Sequence, residues 1–321
     1  MTYDFDPEIA PLVAAMPQFE ATDVAEARAL FAAFIAMQAP YEPPIALTIA
    51  EVVVPGLDGG PVVPVRVYTP ADRNDGPLPG TLYLHGGGFS VGDLDSEHSA
   101  AARVAAEAET VVVSVDYRLA PEHPFPAGLD DCYAALVWMA AHTEHLGVDR
   151  DRLAVRGASA GGGLAAAVAL LARDRDGPAL CFQSLAIPEL DDRLETPSMI
   201  EFVDTPMWNR GRAEQSWQQY LGTQPGGPDV SAYAAPARAG DLSGLPAAHI
   251  SVCEFDPLRD EGMLYALRLV QAGVHTELHL YPGTFHGSTQ FADAEISRRM
   301  QADDIGALRR GLHGVVSANT R

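Results

Sequence analysis

Arg156–Gly163 reads RGASAGGG, with one hydroxyl side chain, Ser159, set among residues that have almost no side chain. What lies on either side decides what the stretch means. Upstream, RLAVRG (152–157) is a short β-like run; downstream, alanine and leucine from about Ala160 to Arg173 have the length and composition of a helix. Strand, tight turn and helix form the context of a nucleophile elbow, Gly-x-Ser-x-Gly, whose strained turn tolerates only small residues two positions from the serine. Gly157 and Gly161 occupy those positions. The helix start also favours negative charge developing nearby. A rival match, Gly161-x-Gly163-x-x-Ala166, begins inside the helix rather than at the strand end, so dinucleotide binding is set aside.

The alternation continues outward from the serine. Two β-like runs, Ile45–Val54 and Val62–Thr69, flank the turn-rich GLDGGP and read as an antiparallel edge. Then follow strand 81–85, helix 97–109, strand 111–115 and a helix from about Gly128 to His142. After the elbow come strand 181–187, strand 247–253, helix 261–272, strand 274–282 and helix 294–312. Apolar strands alternating with helices predict a mostly parallel sheet covered on both faces, an α/β fold. An amphipathic helix over Ala21–Gln38, with Val24, Leu30, Phe31, Phe34 and Ile35 on one face, and a long irregular insertion at 190–240 stand outside that pattern. Residues 1–44 and 190–240 are therefore expected to cap a single domain spanning 1–321.

A serine hydroxyl needs a base, an orienting acid and donors for the oxyanion. His85–Phe89 (HGGGF) follows strand 81–85, and a strand running into HGGG upstream of the elbow is an oxyanion-hole arrangement. The expected donors are the N–H groups of Gly87, Gly88 and Ala160. Among ten histidines, His286 in PGTFHGS follows the last strand and is the expected base. His142 and His145 end a helix, and His85 is expected to brace the glycine loop. His275 and His279 share a strand face with Glu277, but H-x-E-x-H shows no further ligands, so no metal is assigned. Asp256, before Pro257, is the expected acid, with Glu254 in reserve; Asp260 and Glu261 open a helix, where capping alone explains acids. The order Ser159, Asp256, His286 is that of α/β-hydrolases. Phe89, Phe202, Met207, Trp208 and Phe285 are expected to line the substrate pocket and limit it to short acyl groups.

Four stretches, HGGGF, DYRLAPEHPFPAGLDD (116–131), GASAGGG, and DPLRDEG followed by FHG, together resemble the bacterial hormone-sensitive-lipase family of α/β-hydrolase carboxylesterases. Within it, PELDDRLETPSM (188–199) and FVDTPMWNR (202–210) are similar to the heroin-esterase type, an acetyl esterase. The resemblance implies an eight-stranded α/β-hydrolase fold with a helical cap, hydrolysis of a small-molecule ester, and no metal or cofactor. Many relatives carry Asp or Thr where this chain has Ala158, and Asn where it has Gly163, so a shifted hydrogen-bond pattern at the elbow is expected. A lactone or amide hydrolase would use the same groups. A non-catalytic small-molecule-binding protein on this fold is argued against by the joint presence of Asp256 and His286.

The formal net charge of −22 disfavours nucleic acid and anionic lipid partners. Hydrophobic residues make up 47 %, enough for a large core. Three cysteines, Cys132, Cys181 and Cys253, are an odd number in apolar surroundings and read as buried free thiols. With no signal-like N-terminus and no long apolar run, a cytoplasmic protein is expected. Strand 274–282 is expected at a sheet edge, where a homodimer would pair.

Overall fold

The computed structural model describes residues 3–16, 23–71 and 76–314. Two helices come first, α1 (Ala10–Ala15) and α2 (Val24–Ala36), then strands β1 (Leu47–Val54), β2 (Val63–Pro70) and β3 (Leu78–Leu84). Next are α3 (His98–Glu107), β4 (Val111–Val115), α4 (Ala127–Ala141), α5 (Thr143–Leu146), β5 (Val148–Ala158), α6 (Ala160–Asp174) and β6 (Phe182–Ala186). The chain ends with α7 (Pro197–Glu201), α8 (Arg210–Leu221), β7 (Ala247–Phe255), α9 (Arg259–Gln271), β8 (Thr276–Phe285) and α10 (Glu295–His313).

The eight strands form one sheet in the order β1-β2-β4-β3-β5-β6-β7-β8. The pairs β1–β2 and β2–β4 are antiparallel, and every other pair is parallel. Central strands such as β4 and β6 are buried along their whole length. That is why they read as continuous apolar runs without alternation. Helices α4, α6 and α9 share one core with the sheet; α3 and α10 pack on the opposite face. Among the described residues no helix is long and apolar enough to cross a membrane.

Several sequence expectations change. The first helix begins at Val24, because Asp23 caps it by accepting a hydrogen bond from Glu26 N; residues 21 and 22 lie outside the described residues. Its apolar face is only half buried, since it borders an open cleft. The insertion is not wholly irregular: Thr196 and Asn209 cap α7 and α8. Cys181 is half-buried, whereas Cys132 and Cys253 are buried.

Candidate active site

β5 delivers Ser159 at its C-terminal end, and α6 starts at the next residue. Ser159 has φ 56° and ψ −123°, a conformation that an L residue holds only under constraint from its surroundings. The constraint is local packing. A Cβ on Gly157 would lie 2.0 Å from the Gly161 carbonyl oxygen, so only glycine lets the strand pass under the helix start. Gly163 has an equally direct reason: a Cβ there would meet the Glu189 carbonyl oxygen at 2.1 Å. Glu189 N donates to Ser159 O at 3.0 Å, so the loop after β6 lies directly on the elbow. A side chain at 163 would therefore push the loop after β6 off the elbow.

β7 and β8 bring the other two groups. Asp256 follows β7 and is 1 % exposed; its Oδ1 accepts from Leu258 N at 2.9 Å. His286 follows β8, with Nδ1 2.7 Å from Asp256 Oδ2 and Nε2 2.9 Å from Ser159 Oγ. A carboxylate only accepts, so Nδ1 carries the proton and Nε2 is left to accept from the serine hydroxyl. That is an unbroken hydroxyl–imidazole–carboxylate chain. Glu254 is engaged elsewhere, its Oε2 accepting from Gly283 N at 2.7 Å. Asp260 accepts from Ser198 N, and the buried Glu261 accepts from Leu190 N.

The glycine loop lies beside the elbow. Gly87, Gly88 and Phe89 all have positive φ, and Ser90 N and Val91 N both close onto Gly87 O. His85 braces this turn. Its ring stacks on Tyr117 at 4.1 Å, and its Nδ1 donates to Gly86 O at 2.7 Å. Burial pushes the His85 pKa down to about 4, so the brace is neutral. The DYRLAPEHPFP stretch supports the loop from below: Arg118 holds Asp131 bidentately at 2.8 Å, and Ala120 N donates to Phe89 O. From above, the α2 residue Arg28 donates to Ser90 O and Ala120 O and pairs with Glu122.

A cleft of about 1110 Å³ opens over Ser159 and His286. Gly87, Gly88, Met207 and Trp208 line it, together with Leu30, Phe31 and Phe34 of α2. The Trp208 indole sits 5.5 Å from the His286 ring, and a Cβ on Gly88 would lie 2.8 Å from it. The other three expected pocket residues are not among those lining this cleft. Phe89 is 2 % exposed and stacks on Tyr220 behind the wall. Phe202 packs against Phe255 under Arg259. Phe285 is in a core with Ile9. Ala160 is fully buried at the first turn of α6.

Sequence reading missed Glu189 and Ser216. Burial pushes the Glu189 carboxyl up to about 8, with Asp256 adding to the rise and Ser216 opposing it. The Ser216 hydroxyl faces it without closing a good hydrogen bond. Ser216 itself lines the cleft beside Gly88. No motif announces such a pair, because it joins a loop after β6 to α8.

Comparison with known proteins places the chain in a family and a fold. A family model described as "alpha/beta hydrolase fold" matches residues 81–290. The carboxylesterase NlhH of Mycobacterium tuberculosis is 43 % identical over 323 residues, covering 97 % of each chain. An ethyl acetate hydrolase of Pseudomonas putida is 37 % identical over 230 residues, covering 71 % of each. The solved structure of a bacterial heroin esterase superposes with a TM-score of 0.93 at 51 % identity, covering 96 % of this chain and 98 % of that one.

Proposed function

We propose, from the premise that this chain belongs to the α/β-hydrolase family and is a carboxylic-ester hydrolase, that it cleaves short-acyl esters of small alcohols through an acyl-enzyme on Ser159. The observation that carries this reading is the hydrogen-bond chain from Ser159 through His286 to Asp256. His286 Nε2 takes the Ser159 proton as Oγ attacks the ester carbonyl carbon. Asp256 holds the imidazole in the required tautomer and stabilises its cation. The N–H groups of Gly87, Gly88 and Ala160 receive the oxyanion, each worth about 3 kcal/mol in the transition state. His286 then protonates the leaving alcohol, and a water activated by the same imidazole releases the acid. Residues 1–44 and 190–240 serve in this reading as the cap, with Leu30, Phe31, Phe34, Met207 and Trp208 lining the cleft.

Two things support a short acyl limit. The Trp208 indole fills the space against Gly88, next to where the acyl group would sit. Two relatives bear names that refer to acetyl esters or to heroin, a diacetylated alcohol. Initial rates on p-nitrophenyl esters from acetate to decanoate test the limit. The rate is expected to peak between roughly two and six carbons and to fall by at least about tenfold at decanoate, since a chain that cannot be seated loses about 1–3 kcal/mol or more. Trp208→Ala is expected to move the peak to longer chains. A wild-type peak at eight or ten carbons would remove the acyl-limit part of the reading and leave the hydrolase intact.

A further inference from the structure

On the far side of the sheet from α6 and α9, β7 and β8 carry a cluster that ester hydrolysis does not use. Parallel register sets His249 beside Glu277 and Ser251 beside His279. One ligand atom from each of His249, Glu277 and His279 lies within 4.8 Å of the others. The H-x-E-x-H run therefore has the partner it lacked in sequence, supplied by the neighbouring strand; His275 is exposed and precedes β8. His249 is the anomalous member. It is fully buried, and neither ring nitrogen has a hydrogen-bond partner. A buried imidazole in that state calls for an explanation.

We propose that His249, His279 and Glu277 form a binding site for a late first-row divalent cation of the zinc class, which ties β7 to β8. The surrounding groups fit a metal-ligand role. His279 Nδ1 is 3.0 Å from the Tyr281 hydroxyl and 3.6 Å from Asp303, while Nε2 lies 2.8 Å from Glu277 Oε1. His249 Nδ1 faces Asp304 Oδ1 at 3.6 Å, which leaves Nε2 for the ion. Each ring thus has a carboxylate near its Nδ1, while Nε2 of His249 has no partner and Nε2 of His279 faces the third proposed ligand, Glu277, the outer-shell pattern that orients metal-binding histidines.

Charge is balanced rather than prohibitive. Arg310 pairs with Glu277, Arg156 lies 3.5 Å from Asp304, and Arg299 lies 3.5 Å from Asp303. Three arginines thus answer the three carboxylates that surround the two imidazoles. Tetrahedral zinc ligands sit about 3.3 Å apart, so binding draws the rings inward and replaces the His279–Glu277 hydrogen bond. Imidazole donors select zinc, nickel or copper over calcium and magnesium. The two strands joined by the ion are those that lead into Asp256 and His286, so occupancy would stiffen the base–acid pair from behind.

The test is equilibrium dialysis of chelator-treated protein against ZnCl₂, with thermal unfolding in parallel. Wild type is expected to bind a single equivalent and to unfold at higher temperature with zinc. His279→Gln and Glu277→Gln are expected to lose at least about tenfold in affinity. Both should keep metal-free esterase activity and the metal-free unfolding temperature, which separates lost binding from lost folding. Binding should survive Ser159→Ala, His286→Ala and Cys181→Ser, and should not be displaced by excess Ca²⁺ or Mg²⁺. Absence of binding, equal binding by the β8 variants, or loss of binding in His286→Ala or Cys181→Ser would overturn the site.

Discussion

Ser159→Ala is expected to lower kcat/KM for p-nitrophenyl acetate by about a million-fold, leaving only what binding and the oxyanion donors supply. Every other part of the site survives the change. His286 keeps its 2.7 Å contact to Asp256, and the glycine loop keeps its braces at Tyr117, Arg118 and Arg28. The positive φ at position 159 strains alanine as it strains serine. Stability should therefore change by no more than the single Oγ–Nε2 hydrogen bond, about 1 kcal/mol. The measurement is steady-state hydrolysis beside a thermal melt. Activity retained within about tenfold, in a folded variant, would mean that another group attacks the ester.

The second large effect separates two acids that sequence left in competition. Asp256→Asn is expected to cut kcat roughly ten-thousand-fold, because an amide at that place no longer enforces the tautomer in which Nε2 accepts from Ser159. It can still accept from Leu258 N, so the turn should hold. Glu254→Gln is expected to reduce kcat by less than about tenfold. Its carboxylate touches Gly283 N, not the imidazole, and weakening that bond costs about 1–2 kcal/mol of stability. Measuring kcat and unfolding for both variants decides the matter. Lost activity in Glu254→Gln with activity kept in Asp256→Asn would exchange their roles.

The parts of the fold that were legible share a cause. Strands such as 111–115 are buried on both sides, and helix 160–173 is nearly all alanine, glycine and leucine, so composition marks them without reference to distant residues. The elbow was legible because its glycines answer a contact four residues away, Gly157 against Gly161. The cap was not. α8 is polar on average, and its few apolar anchors, Trp217 and Tyr220, act on Phe89, more than a hundred residues distant. Three expected pocket aromatics lie away from the cleft lining for a similar reason. Phe89 and Phe285 flank Gly88 and His286 in sequence, but Phe89 turns into the main core, and Phe285 packs in a smaller one whose Phe255 also meets Phe202. Leu30, Phe31 and Phe34 were read as one helix face, yet only the fold brings that face over Ser159. Glu189 gave no signal at all, because its character comes from burial by α8 and the elbow together.

Diethyl p-nitrophenyl phosphate phosphorylates an activated serine and is released extremely slowly, so it reports the nucleophile irrespective of how fast an acyl group would leave. Wild type should release a single equivalent of p-nitrophenol per chain, lose esterase activity in proportion, and carry the diethyl phosphoryl group on the peptide containing Ser159. Ser159→Ala should release none. A label on any other residue, or full esterase activity in fully labelled protein, would contradict the assignment of Ser159 as the group that attacks the ester.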